Sequence, residues 1–232
     1  ATLADQNRKA PRAARLADGH PNLQGPWVGM GGPGGRGGPG GRGERGPGGP
    51  RGRGERGPGG PPPGEGRGAF GPGRGPNGPP GRPEPTPAGE LAAKSYDQRF
   101  DDPAIKCNPA NILFGWTHDQ HVNDIVQKSD AITLRYGYMD FVRTIHMNMT
   151  EHPKNIKPST GGHSIGKWEG DVLVVDTIGF QPSVLIPLMG LMHSGQMHAT
   201  EQFSVDPNAK TLTRTYRAED PLYLKSPFVG TD

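Results

Sequence analysis

Between Gly31 and Arg82 the chain has almost nothing with which to build a hydrophobic core. Of those 52 residues, 25 are Gly, 12 Pro, 9 Arg and 3 Glu; the remainder are Ala69, Phe70 and Asn77. Ordering a backbone costs about 1–2 kcal/mol per residue, and no apolar surface here offsets that. The stretch reads as an arm, not a domain. Gly recurs every third residue from Gly31 to Gly52, then shifts frame to Gly54, Gly57 and Gly60, and the decapeptide at 41–50 repeats at 52–61. A collagen triple helix requires the frame without interruption, so the shift disfavours it. Composition alone favours a linker without fixed structure. The remaining alternative is a set of extended polyproline-II-like strands. Those would have to be held by neighbouring protein, most simply other copies of the chain.

Charge divides along the same boundaries. Residues 1–30 carry +2, the arm +6 and residues 83–232 carry −5, which together give the net +3. The arm is basic and the presumed folded part acidic, so the two are electrostatic counterparts. Nine arginines suit phosphate contacts, but single-stranded nucleic acid also asks for aromatic platforms. The arm offers only Phe70, and Glu44, Glu55 and Glu65 dilute its charge. A partner protein or self-association through residues 31–82 is the expectation, and nucleic acid is not. No apolar run is long enough to span a bilayer as a helix. The sole cysteine, Cys107, excludes an internal disulfide framework. The first residue is Ala, which suggests a removed signal peptide and a periplasmic or extracellular location.

From Pro83 onward the pattern becomes globular. Thr86 followed by Pro87 predicts an N-capped helix running to about Phe100 and stopping before Asp102-Pro103. A period of two then takes over. Val122–Lys128, Ala131–Tyr138 and Phe141–Asn148 read as three strands of a meander. Ser164–Glu169 with Asp171–Ile178, and His198–Val205 with Thr211–Ala218, read as two hairpins. The expected fold is mainly β, an antiparallel meander forming a curved sheet or up-and-down barrel, with one N-terminal helix and a long extended arm. Three segments are expected: an irregular basic stretch 1–30, the arm 31–82 and an acidic β-rich domain 83–232.

Several residues invite chemical readings. Gly162-His163-Ser164-Ile165-Gly166 spells a nucleophile elbow, with Asp176 and His193 following in hydrolase order. That chemistry needs a strand–turn–helix, whereas a strand containing Trp168 follows the serine, so the motif reads as a Gly-rich turn leading into a hairpin. His163, Glu169, Asp171 and His193 are candidate acid/base groups if they converge at one end of the sheet. His118, His121, His193 and His198, with Met192 and Met197 nearby, could supply imidazole and thioether ligands to copper or another transition metal, as could His146 with Met147 and Met149. No cofactor is required by the pattern, since polar loop residues and gap-filling methionines account for the same positions. Trp116, Trp168, Tyr136, Tyr138 and Phe141 read as core or barrel lining.

The run from Gly162 to Phe180, with Trp168-Glu169-Gly170-Asp171 and Val174-Val175-Asp176-Thr177 inside it, resembles the hallmark hairpin of a family of exported, uncharacterised bacterial proteins. Supporting pieces are Asn22–Trp27, Asp102-Pro103 with Cys107-Asn108-Pro109, Asp124–Gln127, Met192-His193-Ser194, and Asp220-Pro221 with Pro227-Phe228. The resemblance spans about residues 18–28 and 84–232 and leaves the arm as an insertion. This chain has Ala110–Leu113 where the family has Gly-x-Pro-Arg, and Val142-Arg143 where it often has paired arginines. Family members carry a further cysteine in a C-terminal continuation, which implies a partner for Cys107 there. The resemblance implies export and a β-rich fold, and it points to no particular activity. The sequence therefore reads as an exported structural or interaction protein that assembles through its arm. The alternative is a small-molecule-binding domain or enzyme using His163, Glu169, Asp171 and His193.

Overall fold

The computed structural model describes residues 15–28, 83–117 and 121–232. Expectations about residues 31–82 lie outside the described residues.

Thr86 caps the first helix, α1 (Pro87–Ser95), its hydroxyl accepting from the Gly89 amide at 3.1 Å. Glu90 in the first turn and Lys94 in the last complement the helix dipole. The helix ends at Ser95 and not near Phe100. Tyr96 is extended, and the Asp97 carboxylate accepts from the Arg99 amide to start a separate short helix, α2 (Gln98–Asp101). An aspartate that can cap its own helix competes with continuation of the preceding one. Asn111 plays the same part for α3 (Ile112–Thr117), accepting from the amides of Leu113 and Phe114.

The strands are β1 (Gly25–Val28), β2 (Val122–Gln127), β3 (Ala131–Arg135), β4 (Val142–His146), β5 (His163–Glu169), β6 (Val172–Ile178), β7 (Ser183–Ile186), β8 (Leu191–His193), β9 (His198–Asp206), β10 (Thr211–Glu219) and β11 (Phe228–Thr231). Nine of them form one curled half-barrel sheet in the order β1-β2-β3-β4-β5-β6-β9-β10-β11, and β7 with β8 makes a separate hairpin. The fold is mainly β, as the two-residue periodicity predicts. At the β5–β6 turn Gly170 has φ +60°, and glycine is the natural residue at the first position of a two-residue hairpin loop with that geometry.

Three features depart from the sequence reading. The meander is broken between β4 and β5, which pair in parallel through only Ile145↔Ser164 and His146↔Ile165. A parallel pair requires a crossover, and residues 147–162 supply it. Four strands were unread: the edge strands β1 and β11 and the β7–β8 hairpin. Gly25-Pro26-Trp27-Val28 has the composition of a turn, and Pro26 is tolerated because β1 lies at an edge. The third concerns the stretch expected to be irregular. Residues 15–28 belong to the β body: Leu23 is fully buried, and Gln127 accepts from its amide while donating to the Pro21 carbonyl.

The inner face of the sheet closes on α3 and the β7–β8 hairpin. Trp116, from α3, meets Tyr136 and Phe203 edge-on at 5.2 and 5.8 Å between ring centroids. Ile125, Ile132, Leu134, Ile145, Leu173 and Val175 fill the space between. Into this core the inward positions of β4, β9 and β10 place Arg143, Glu201 and Arg214, exposed by only 4, 0 and 1%. Glu201 bridges the two guanidinium groups, at 2.5 Å from Arg143 and 3.3 Å from Arg214. Arg143 also donates to Ser164 Oγ, Thr177 Oγ1 and Tyr136 Oη. Arg214 forms a two-pronged pair with Asp232 at 2.9 and 2.6 Å and donates to the α3 carbonyls of Ile112 and Leu113. Burial opposes both arginine charges, and the attraction of the carboxylates, with hydrogen bonds, more than restores them.

Removing one member of a buried ion pair leaves an uncompensated charge, at a cost of about 3–5 kcal/mol. Glu201→Gln should lower the unfolding free energy by about that amount in urea denaturation. Replacing Arg143, Glu201 and Arg214 together with apolar residues of similar volume should cost much less.

Candidate functional site

The inward and outward faces of the sheet carry different chemistry. Ser164 faces inward and is buried, between Arg143 Nε at 2.9 Å and Thr177 Oγ1 at 3.0 Å. Asp176, the hydrolase candidate acid, points to the outer face because it neighbours inward Thr177 on β6. Strand alternation therefore separates the two, and Ser164 lies within a strand, not on an elbow. Serine-reactive fluorophosphonates should leave Ser164 unlabelled, and mass spectrometry of the treated protein checks this.

The four acid/base candidates are not brought together. His163 and Glu169 stand at opposite ends of β5, about 20 Å apart by strand rise. Glu169 pairs with Lys167, and Asp171 with Arg15, all four side chains exposed at the hairpin tip. His193 is buried on β8, its ring edge-on to Phe180 at 6.0 Å. Of the four metal candidates, His118 lies outside the described residues. His121 is exposed near the Tyr138 ring, His193 is in the interior, and His198 is on the outer face, so these three do not share a site.

A different set does converge. The outward positions of β4, β5, β6 and β9 present His146, His163, Asp176 and His198, and the 147–158 segment lays His152 against them. His152 Nδ1 lies 2.9 Å from His163 Nδ1, and its Nε2 lies 3.1 Å from Asp176 Oδ2. The other Asp176 oxygen accepts from His198 Nε2. The His146 ring stacks on that of His163 with centroids 4.9 Å apart and planes 14° from parallel. Burial, reinforced by the neighbouring His146 and His152, holds the His163 pKa below the usual histidine value.

Sequence reasoning named His146, His163, Asp176 and His198 for other reasons and missed His152 altogether. The parity of the strands could have grouped His146, His163, Asp176 and His198 on one face. His152 has no such signal, because it arrives on a crossover whose path follows from the parallel β4–β5 pairing. The histidines gathered on the outer face are therefore His146, His152, His163 and His198, and of the four expected as ligands only His198 is among them.

Comparison with protein-family models, with curated proteins and with solved structures finds no match. Motif pieces far apart in the sequence do meet in space. Asn22–Trp27 supplies β1, which pairs with the Asp124–Gln127 strand through Gly25↔Ile125 and Pro26↔Asp124. Ser194 donates its hydroxyl to Asp220 at 2.9 Å and its amide at 2.5 Å, tying the β7–β8 hairpin to the loop before β11. Cys107 is a free, exposed thiol.

Burial lowers the His193 pKa, against smaller opposing effects of the Ser194 carbonyl and Asp220. The unfolded chain therefore takes up this proton more readily than the folded one. Its contribution to stability is complete above the ordinary value of 6.5 and declines as pH falls from there toward the lower folded value. The melting temperature should drop between pH 7.5 and pH 5, and His193→Leu should flatten part of that drop in scans at a series of pH values.

Proposed function

We propose that the chain is an exported structural or interaction protein whose β body presents the Gly/Pro/Arg-rich arm for assembly with further copies of itself. The observation that carries this reading is that both flanks of the arm are fixed to the body. Upstream, β1 ends at Val28, which pairs with Val122, and Leu23 anchors it in the core. Downstream, Pro83 is buried, Pro85 bridges Leu224, and the Lys225 amide donates to the Glu84 carbonyl. The arm thus departs from one edge strand of the half-barrel and returns beside the segment that leads into the other.

Two further facts support presentation over catalysis. The polar groups gathered inside the half-barrel are engaged with one another, as Arg143 and Arg214 are with Glu201 and Asp232. Among the described residues the edge strand β11 has one side without a partner strand in the sheet, and such an edge is receptive to another extended chain. Attraction between a +6 arm and a −5 body adds steering that salt screens over about 8 Å.

Replacing residues 31–82 with a Gly/Ser linker tests the proposal. The expected result is a body that melts nearly as the full chain does but no longer self-associates, measured by size-exclusion chromatography with light scattering. Oligomers that persist unchanged, or a body that unfolds, would sink it.

A further inference from the structure

The crossover from β4 to β5 is pinned to the outer face of the sheet at few points. At its ends the Met147 amide donates to the Asp130 carbonyl and the Ser159 amide to the Gly179 carbonyl. Between those anchors, among the described residues, the hydrogen bonds that tie 148–158 to the sheet are the two of His152, with His163 and Asp176. Most side chains of the segment are exposed. His152 is turned in, with 11% of its side chain exposed, and Ile156 fills the space that a Cβ on Gly179 would need. A segment with so little buried surface belongs to the least stable part of a fold, so the loss of one pin decides its position.

The His152 pin tolerates only certain protonation states. The Asp176 carboxylate accepts hydrogen bonds, so His152 Nε2, 3.1 Å away, carries a hydrogen. Its Nδ1 then accepts the N–H of His163 Nδ1 across 2.9 Å. One added proton leaves this bond in place by settling on His163 Nε2. A second must occupy His152 Nδ1, where two N–H groups would point at each other, and the contact cannot survive. The surroundings offer little to offset that. The His146 ring lies on that of His163 with centroids 4.9 Å apart, and His198 already holds the other Asp176 oxygen. The further charged groups on the elements packed here are Asp130, Glu151, Lys154 and Lys157, the exposed Lys167–Glu169 pair, and Glu219, which faces His198 in the strand ladder and is engaged by Arg217. Burial, with His146 and His152, holds the His163 pKa low in the closed arrangement. The released segment therefore binds protons more readily than the closed one, and acid favours release.

We propose that residues 148–158 form an acid-released strap, held on the outer face while His152 and His163 share a hydrogen between their Nδ1 atoms and freed when both rings are protonated. Cys107 is the sole cysteine, so a nitroxide on Lys154→Cys in a Cys107→Ser background reads the strap in the full chain. Its electron paramagnetic resonance spectrum should be that of a restrained label at pH 7.5 and of a mobile one at pH 5, reversibly, while near-UV circular dichroism stays that of the folded body. His163→Asn puts an amide near the place of Nδ1, able to donate or accept, and should keep the strap down at both pH values. His152→Ala should free it at both without loss of the near-UV signal. His193→Leu, which removes a buried histidine elsewhere, should leave the transition in place. A label indifferent to pH, a transition unchanged in His163→Asn, a label still restrained in His152→Ala, or loss of the near-UV signal together with the strap would each overturn the proposal.

Discussion

A carboxylate buried between two guanidinium groups constrains how the strands of the half-barrel are set against one another. Glu201 occupies the centre of the half-barrel, with Arg143 reaching it from β4 and Arg214 from β10. Because each charge has lost its water, none can move without stranding another. The constraint spreads outward through the remaining donors. Arg143 fixes Ser164, Thr177 and Tyr136, and so relates β4 to β5 and β6. Arg214 holds the backbone of α3, and its guanidinium lies 5.7 Å from the Trp116 ring centroid and 4.9 Å from that of Tyr216. Burial also pushes the Tyr216 phenol up to about 12, keeping it neutral beside these charges.

The same strands carry a second arrangement on their other side. Alternation along β5 and β6 places Ser164 and Thr177 with the arginines and turns His163 and Asp176 outward. One hairpin thereby serves an interior that resists water and a surface that water reaches. Asp176 is not held by the core itself, yet its two oxygens are each engaged by a histidine.

How much was legible follows from the range of the interactions involved. Thr86 with Pro87, the strand periodicity from Val122 onward and the Gly170 turn are local, and each appears where the sequence places it. The Asp97 cap was local too, but it competes with a longer apolar-periodic reading and wins. What could not be read is long-range. Arg143, Glu201 and Arg214 sit at inward positions of strands where an apolar residue is expected, and only the assembled sheet shows that they neutralise one another. Alternation puts Arg214 on the same face as Leu212, Tyr216 and Ala218, but nothing in the strand itself supplies the carboxylates that neutralise it. The candidate site failed for the same reason: Glu169 and Asp171 are adjacent to the right motif but at the wrong end of the strand, while His152 depends on a crossover that periodicity does not encode.

The short parallel contact between β4 and β5 makes the sheet mechanically uneven. Elsewhere adjacent strands of the sheet are joined by four to nine residue pairs, but here by two. Across this line the burden passes to side chains, chiefly the Arg143 bonds to Ser164, Thr177 and Glu201. Four strands lie on one side and five on the other. Tension drawn across the sheet would load this seam most, where two backbone pairings, the Arg143 bonds and the packed core together hold four strands to five.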